Sequence, residues 1–190
     1  MNLANKLTMF RVILVPFFVF FMCFSAVPFR FTAALVIFGL ASITDMFDGK
    51  VARKYNMVTN FGKFLDPLAD KILVAAALVC FVELGWTSAW VVFIILAREF
   101  VVSGIRLVAA SSDKKKVIPA NIWGKLKTAV TMVAIVVVLL LAVLMIDFGL
   151  LEGFPAQIVI DILMYLSALL TLISGIVYCV DSREFIDPTK

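Results

Sequence analysis

Four aspartates lie within and beside the most apolar parts of the sequence, and they are the residues best suited to chemistry. Asp45 and Asp48 are three residues apart, and Asp66 and Asp70 are four apart. Each separation places two carboxylates on one helix face, one turn from each other. One carboxylate at the centre of a bilayer costs about 2.5–3.5 kcal/mol on insertion scales, and four together repel one another. They are therefore expected either to lie in water or to bind a metal cation.

The chain between the two pairs favours metal binding. Residues 54–60 are largely polar and contain Asn56 and Asn60, which favour a turn centred between positions 57 and 58. In such a hairpin Asp48 lies opposite about position 67, and Asp45 lies opposite position 70. Carboxylates on facing helices build metal sites in helical bundles, and all-oxygen ligands suit Mg²⁺ or Mn²⁺. We therefore predict an acidic metal site on a helical hairpin.

Three nearby residues indicate that a diphosphate is the ligand of this metal site. Gly49 and Gly62 leave the backbone uncovered beside the carboxylates, so that a ligand can approach closely. Arg53 supplies a planar guanidinium that suits phosphate oxygens. The alternative is an acidic turn that is simply solvated, but Asp45 and Asp70 stand well inside the two apolar segments.

The order and spacing of these residues resemble the complete signature of the CDP-alcohol phosphotransferase family. The pattern is Asp45-x2-Asp48-Gly49-x2-Ala52-Arg53-x8-Gly62-x3-Asp66-x3-Asp70, and all eight positions match in type and spacing. The resemblance continues through NKLTMFR (5–11), AREFVVSGIRL (97–107) and GKLKT (124–128). It therefore extends over nearly the whole chain.

The resemblance implies an enzyme that transfers the phosphatidyl group of CDP-diacylglycerol to an alcohol in one direct step, with release of CMP. It implies two Mg²⁺ or Mn²⁺ ions held mainly by Asp45, Asp48 and Asp66, with Asp70 also near the metals. Asp70 is then the general base that takes the proton of the attacking hydroxyl. A homodimer is implied as well. The residues implied to bind CDP-diacylglycerol are Asn5, Thr8, Gly49, Ala52, Arg53, Thr59 and Gly62.

The composition indicates a membrane protein. The chain has 190 residues, of which 64% are hydrophobic and 16% are charged, and its mean hydropathy is +1.12. Soluble domains are about 45–50% apolar and about 25% charged.

There is no histidine, so acid–base work falls to carboxylate, lysine, tyrosine or water. The three cysteines stand alone in apolar segments and are expected to be packing residues. We expect one domain over residues 1–190.

Continuous apolar runs predict an all-α fold, because backbone in contact with lipid must form its hydrogen bonds within its own segment. Each run is long enough to cross a bilayer, which takes about 20 residues. Leu3, Leu7 and Phe10 predict a short interfacial helix over residues 1–10 before the first span. A cleaved signal peptide is the alternative for that first span. The six predicted transmembrane helices are 12–27, 31–53, 62–85, 88–110, 122–146 and 156–180.

The distribution of basic residues predicts the orientation. The expected outer turns, near 27–31, 84–88 and 147–156, contain only Arg30 among 17 lysines and arginines. Both termini and the aspartate hairpin of this multi-pass protein are therefore expected to face the cytoplasm. The family resemblance, which is strongest to bacterial members, implies a bacterial cell membrane. The lysines in residues 111–116 are expected to lie in a solvated cytoplasmic loop.

Four basic residues near or within the later spans predict a site for a small anionic acceptor. Arg98 and Arg106 interrupt the fourth span, and Lys125 and Lys127 begin the fifth. Buried cations in a span usually face a cavity or a partner. The alternatives are a structural Glu99–Arg106 or Asp–Arg ion pair for the arginines and simple membrane anchoring for the lysines. A cationic pocket next to the carboxylates would suit glycerol 3-phosphate.

Two other functions remain possible from the sequence. A related transferase with another acceptor, such as inositol phosphate, serine or phosphatidylglycerol, would carry the same signature. A divalent-cation transporter could use the aspartates as a site at the bilayer midplane, but it needs polar residues toward the outer face. The outer halves of the predicted spans offer almost none.

Overall fold

The computed structural model describes residues 3–55, 60–111 and 122–182. For residues 3–7, 45–55, 60–68, 70 and 107–111 it describes the backbone and not the side chains. Within these ranges the chain forms α helices and no strand, so the all-α prediction is confirmed. The helices are α1 (Leu3–Cys23), α2 (Arg30–Tyr55), α3 (Asn60–Glu83), α4 (Ala89–Ser111), α5 (Ile122–Ala142) and α6 (Ala156–Asp181).

The first helix differs from the prediction of a separate interfacial helix over residues 1–10. α1 runs without a break from Leu3 to Cys23, so the described part of that segment is continuous with the first span. No glycine, proline or turn residue separates the two parts of the sequence. Pro16 lies inside the helix, and prolines are tolerated in apolar helices where neighbouring groups satisfy the backbone. The prediction of two separate elements is therefore wrong.

α2, α3, α4 and α6 agree with the predicted spans to within two residues at each end, and α5 does so when the π-helical segment that follows it is included. α2 ends at Tyr55 and α3 begins at Asn60, and the predicted hairpin turn between positions 57 and 58 lies outside the described residues. α5 continues into a short π-helical segment, Val143–Asp147. These boundaries follow from local signals, since apolar runs of about 20 residues end at clusters of polar and turn-forming residues.

The chain divides into two compact units, which we describe separately. Unit 1 comprises Met1–Gly85 and Ile135–Ala156. In it α1 packs against both α2 and α3, and the π-helical segment packs against α2. Phe18 and Phe38 lie in its core with ring centroids 5.9 Å apart. The sulfurs of Cys23 and Cys80 lie 3.9 Å apart as free thiols. The sequence interpretation of these two cysteines as packing residues agrees with that contact.

The start of α2 is capped from a distant part of unit 1. The carboxylate of Asp147 accepts hydrogen bonds from the backbone N–H of Thr32 at 2.6 Å and from its hydroxyl at 2.8 Å. The first N–H groups of a helix have no partner within the helix, and negative charge is favourable at that end. This cap fixes the end of α2 that is remote from the aspartates.

Unit 2 comprises Trp86–Ala134 and Gln157–Lys190. It contains α4, the first part of α5 and α6. The side-chain amide of Gln157 donates to the carbonyl of Trp86 at 3.0 Å, which ties the start of α6 to the turn before α4. Arg98 of α4 donates to Ser174 of α6, so these two helices are also in direct contact.

Two helices are long and apolar enough to cross a membrane among the residues described. They are Ile122–Asp147 and Ala156–Asp181, with hydropathies of 3.2 and 2.1 in their most apolar windows. Only 39% and 33% of these windows are buried within the protein, so most of this apolar surface faces outward. On α6 the exposed residues include Ile158, Ile162 and Ile176. An apolar face of this kind suits contact with lipid or with another protein rather than with water.

Candidate functional site

The two pairs of aspartates lie at matching positions on α2 and α3. Asp45 stands ten residues before the end of α2 at Tyr55, and Asp70 stands ten residues after the start of α3 at Asn60. Asp48 and Asp66 lie closer to the break between the two helices. With a rise of about 1.5 Å per residue, both pairs begin about 10 Å into their helices. Their side chains lie outside the described part of the structure, so the convergence of the carboxylates stays a prediction.

The other predicted contacts of CDP-diacylglycerol are divided among three helices. Gly49, Ala52 and Arg53 lie in the last part of α2, Gly62 lies in the first turn of α3, and Asn5 lies in the first turn of α1. The structure gives the backbone of these five residues only.

Thr8 is the predicted contact of α1 whose side chain the structure describes. The side chain of Thr8 is fully buried, which agrees with a position against α2 or α3, the two helices that α1 packs on. Thr59 lies outside the described residues.

Arg11 is a further functional candidate, and the family resemblance through residues 5–11 also implies that it lies near the active site. It stands one turn after Thr8 on α1 and is only 1% exposed. A buried arginine is strongly destabilising unless a partner or ligand compensates its charge. The signal available in the sequence is its position as a cation at the entry to an apolar run.

Metal binding depends on residues whose side chains are not described. Among the side chains that are described, no group of three histidine, cysteine, aspartate or glutamate residues lies close enough to hold a metal ion. The four aspartates of α2 and α3 are outside that set. Their donor chemistry fits a hard cation, because carboxylate oxygens suit Mg²⁺ and Mn²⁺ and the chain has no histidine to favour a softer metal.

Unit 2 places two of the four predicted acceptor residues around one carboxylate. Glu99 forms ion pairs with Arg98, at 3.2 Å from its Nη1, and with Lys127. The side chains of Arg98 and Lys127 are 12% and 6% exposed. Two cations and one anion leave this cluster with a formal surplus of one positive charge. Such a surplus in a poorly hydrated place favours an anionic ligand.

Arg98 is held by two further elements. Its Nη2 donates to the hydroxyl of Ser174 on α6 at 2.6 Å. Gly124 of α5 and Gly175 of α6 border the same side chain, since a Cβ built on either glycine would lie within 4 Å of Arg98 atoms. The guanidinium thus reaches its position because two neighbouring helices expose bare backbone to it.

Arg106 and Lys125 do not join this cluster. The Nε of Arg106 donates to the hydroxyl of Tyr178 at 3.3 Å, and its guanidinium lies 5.4 Å from the centre of that ring. Glu99 pairs with Arg98 and Lys127 rather than with Arg106, so the alternative of a Glu99–Arg106 pair is wrong. Residues seven apart on a helix are separated by about 10 Å along its axis, and nearer cations are available to Glu99.

Lys125 and Lys127 have different environments although only Leu126 separates them. Lys127 is buried, whereas Lys125 is exposed. Residues two positions apart on a helix are separated by about 200° around its axis, so these two lysines lie on different faces. The arrangement can bind an anion through Arg98 and Lys127, while Arg106 and Lys125 add positive charge outside the cluster.

Sequence reasoning missed the residues that position the cations. Ser174 and Tyr178 stand 76 and 72 residues from their arginine partners. A serine or tyrosine in an apolar span is an ordinary residue, so no local signal could have identified them. The sequence offers Glu99 as a partner for Arg106 only as an alternative, and the structure pairs Glu99 with Arg98 and Lys127 instead.

Comparison with known proteins agrees with the family resemblance of the sequence. The model of the family described as CDP-alcohol phosphatidyltransferase matches residues 1–177. The chain is 40% identical over 189 residues to the CDP-diacylglycerol–glycerol-3-phosphate 3-phosphatidyltransferase of Bacillus subtilis (strain 168), with 92% of this chain and 91% of that protein covered. It is 44% identical over 139 residues to proteins of the same name from Escherichia coli (strain K12) and Shigella flexneri serotype 5b (strain 8401), with 70% and 74% covered.

Proposed function

Because the chain belongs to the CDP-alcohol phosphatidyltransferase family, we propose that it transfers the phosphatidyl group of CDP-diacylglycerol to glycerol 3-phosphate. The products are phosphatidylglycerophosphate and CMP. The observation that carries this proposal is the family match over residues 1–177, which include all eight signature positions. The printed name shared by relatives at 40% and 44% identity favours glycerol 3-phosphate over other acceptors.

Asp45, Asp48, Asp66 and Asp70 are the proposed ligands of two Mg²⁺ or Mn²⁺ ions. When bound, these ions neutralise the diphosphate and stabilise charge on the leaving CMP. The support for this assignment is the donor set and the matching positions of the two pairs on α2 and α3. Without bound cations, the four carboxylates would repel the negatively charged diphosphate of the nucleotide lipid.

Asp70 is the proposed general base. Its carboxylate takes the proton from the 1-hydroxyl of glycerol 3-phosphate, and the resulting oxygen attacks the phosphorus that carries diacylglycerol. The bond between the acceptor oxygen and this phosphorus forms as the bond between the phosphorus and CMP breaks. No covalent enzyme intermediate arises. Asp70 lies farther from the α2–α3 break than Asp66, one turn deeper in the helix. The chain contains no histidine, so a carboxylate beside the reacting hydroxyl is a suitable base.

The CDP portion is proposed to lie along the ends of α2 and α3 that flank their break. Gly49 and Gly62 allow close approach of the diphosphate to the backbone, and Arg53 offers paired donors to its oxygens. Ala52 and Thr59 complete this part of the site. Asn5 and Thr8 of α1 are proposed to cover the nucleotide, which is consistent with the packing of α1 on both helices.

The phosphate of the acceptor is proposed to bind Arg98 and Lys127, with Arg106 and Lys125 attracting it to the site. The support is the surplus of positive charge around Glu99. Arginine and lysine are the usual partners of phosphate groups. Serine or inositol lacks a phosphate and would leave this charge without a partner.

The protein is proposed to span a bacterial cell membrane six times, with both termini and the aspartates on the cytoplasmic side, and to act as a homodimer. The scarcity of basic residues in the outer turns supports the orientation. Single-cysteine reporters in a cysteine-free chain test it. An impermeant maleimide should label Glu152→Cys but not Lys190→Cys in intact cells, and the reverse result would overturn the orientation. Chemical cross-linking in membranes tests the dimer.

The activity test uses the purified protein in detergent with CDP-diacylglycerol and a panel of acceptors. CMP release should require glycerol 3-phosphate, should stop after chelation with EDTA, and should return on addition of Mg²⁺ or Mn²⁺. Serine, inositol phosphate and phosphatidylglycerol are the competing acceptors. Faster release with one of them would replace the acceptor, and undiminished release after thorough chelation would remove the metal mechanism.

A further inference from the structure

Three residues of unit 2 surround Arg98 more closely than an ion pair requires. They are Gly124 at the start of α5 and Ser174 and Gly175 of α6. The Ser174 hydroxyl, which is 3% exposed, accepts from Nη2 of Arg98 at 2.6 Å. This contact is independent of the Glu99 carboxylate, which accepts from Nη1. Two acceptors on different helices therefore fix both the position and the plane of the guanidinium.

Gly175 determines the path of the arginine stem. A Cβ built on Gly175 would lie 3.0 Å from Cγ of Arg98, and one built on Gly124 would lie 3.8 Å from Nη2. The first distance is shorter than nearly all real contacts of a Cβ, whereas the second is ordinary van der Waals contact. Any side chain at position 175 must displace the stem of Arg98. The absence of a side chain there is thus part of how Arg98 is placed.

The guanidinium has donors left over after these contacts. Arginine carries five N–H donors and no acceptor. Its Nη1 and Nη2 each have an acceptor, but the buried Nε of Arg98 has no hydrogen-bond partner among the described residues. A buried donor without a partner is destabilising unless a ligand supplies an acceptor. An oxyanion with several oxygens, such as phosphate, matches this need.

We propose that Ser174 and Gly175 are positioning residues that hold Arg98 in the orientation in which it binds the phosphate of the acceptor. This inference rests on the proposed function and adds residues of α6 to it. Neither residue needs to touch the substrate. Their effect is on the acceptor alone, because a guanidinium fixed in advance binds phosphate without first losing its own freedom.

The test measures initial rates of CMP release against both substrates for Ser174→Ala. The KM for glycerol 3-phosphate should rise about 10-fold, in line with loss of a hydrogen bond to a charged group. The KM for CDP-diacylglycerol should stay within about twofold, since uniform binding of that substrate is untouched. The matched control is Ser167→Ala on the same helix, whose buried hydroxyl donates to its own helix at Leu163. It should leave both KM values unchanged.

A second variant tests the stem. Gly175→Ala should raise the KM for glycerol 3-phosphate by about threefold to tenfold, because Arg98 must shift by a few tenths of an ångström. Gly104→Ala is its control, since a Cβ at that helical glycine meets nothing within 4 Å. Both changes carry the same gain in helix propensity, so a difference between them reports the contact with Arg98.

The decisive measurement is a double-mutant cycle. If Ser174 acts through Arg98, Ser174→Ala should add nothing in an Arg98→Ala background. An equal effect in both backgrounds, or an unchanged KM for glycerol 3-phosphate in the single variant, would overturn the positioning role. Absence of phosphatidyl transfer to glycerol 3-phosphate by the unmodified protein would instead overturn the proposed function, so the two failures are distinguishable.

Discussion

The aspartate hairpin of unit 1 and the cationic cluster of unit 2 are built in different ways. The four aspartates come from one continuous stretch, residues 45–70, on two successive helices. The cluster around Glu99 draws on α4, α5 and α6, and its contacts join residues up to 76 positions apart. A site of the first kind is determined by the spacing of residues within one short stretch of sequence. A site of the second kind exists only once particular faces of distant helices meet.

The two regions are expected to differ in what a single substitution removes. A carboxylate of the hairpin is proposed to act on the shared metals and therefore on every turnover. A cation of the cluster is proposed to act on one substrate. Variants in the hairpin should lower kcat, and variants in the cluster should raise the KM for the acceptor.

The largest expected effect is that of Asp48→Asn. Loss of this proposed metal ligand should lower kcat by about 10³-fold or more, because the proposed metal ions would supply most of the charge stabilisation in the transition state. CMP release at saturating substrates, with Mg²⁺ or Mn²⁺ varied, measures it. Glu152→Gln is the control, an exposed acid outside both regions, and it should leave kcat unchanged. Near-normal turnover of Asp48→Asn would remove this residue from the metal site.

Arg98→Ala should show the opposite kinetic pattern. Truncating a buried, hydrogen-bonded charge is expected to raise the KM for glycerol 3-phosphate about 10²-fold, while the KM for CDP-diacylglycerol stays within about twofold. Steady-state kinetics with each substrate varied in turn measure this split. Arg30→Ala, at the start of α2 in the other unit, should affect neither KM. Equal rises in both KM values would show that the cluster is not specific to the acceptor.

The third prediction separates two neighbouring lysines. Lys127 is buried in the Glu99 ion pair, whereas Lys125 is exposed. Lys127→Ala should raise the KM for glycerol 3-phosphate about 10-fold, and Lys125→Ala about twofold, since exposed charges act at longer range and are screened by salt. Raising the ionic strength should reduce the smaller effect further. A larger loss from Lys125→Ala would place the phosphate outside the buried cluster.

The smallest expected effect concerns stability alone. Asp147→Ala removes the cap of α2 at Thr32 and should cost about 1 kcal/mol of unfolding free energy, as loss of helix caps does. Thermal unfolding in detergent measures it. The kcat should remain unchanged, because the capped end of α2 is the one remote from Asp45 and Asp48. A fall in kcat with unchanged stability would contradict this separation.

Much of the fold was predictable because its signals are local. Apolar runs of about 20 residues and the turn residues between them locate the helices to within two residues in most cases. The exception, α1, arose because an amphipathic start and an apolar continuation have the same helical periodicity. Nothing in that pattern marks whether the backbone bends between them.

By itself, the sequence determined the helices, the pairing of carboxylates along α2 and α3, and the membership of the family, since all three depend on spacing within short stretches. Only the tertiary structure decided that Glu99 pairs with Lys127 and Arg98, that Ser174 and Gly175 hold Arg98, and that Asp147 caps α2. These contacts depend on which faces of separate helices pack together. Helical periodicity shows which residues share a face of a helix, but it does not determine which residues of another helix pack against that face.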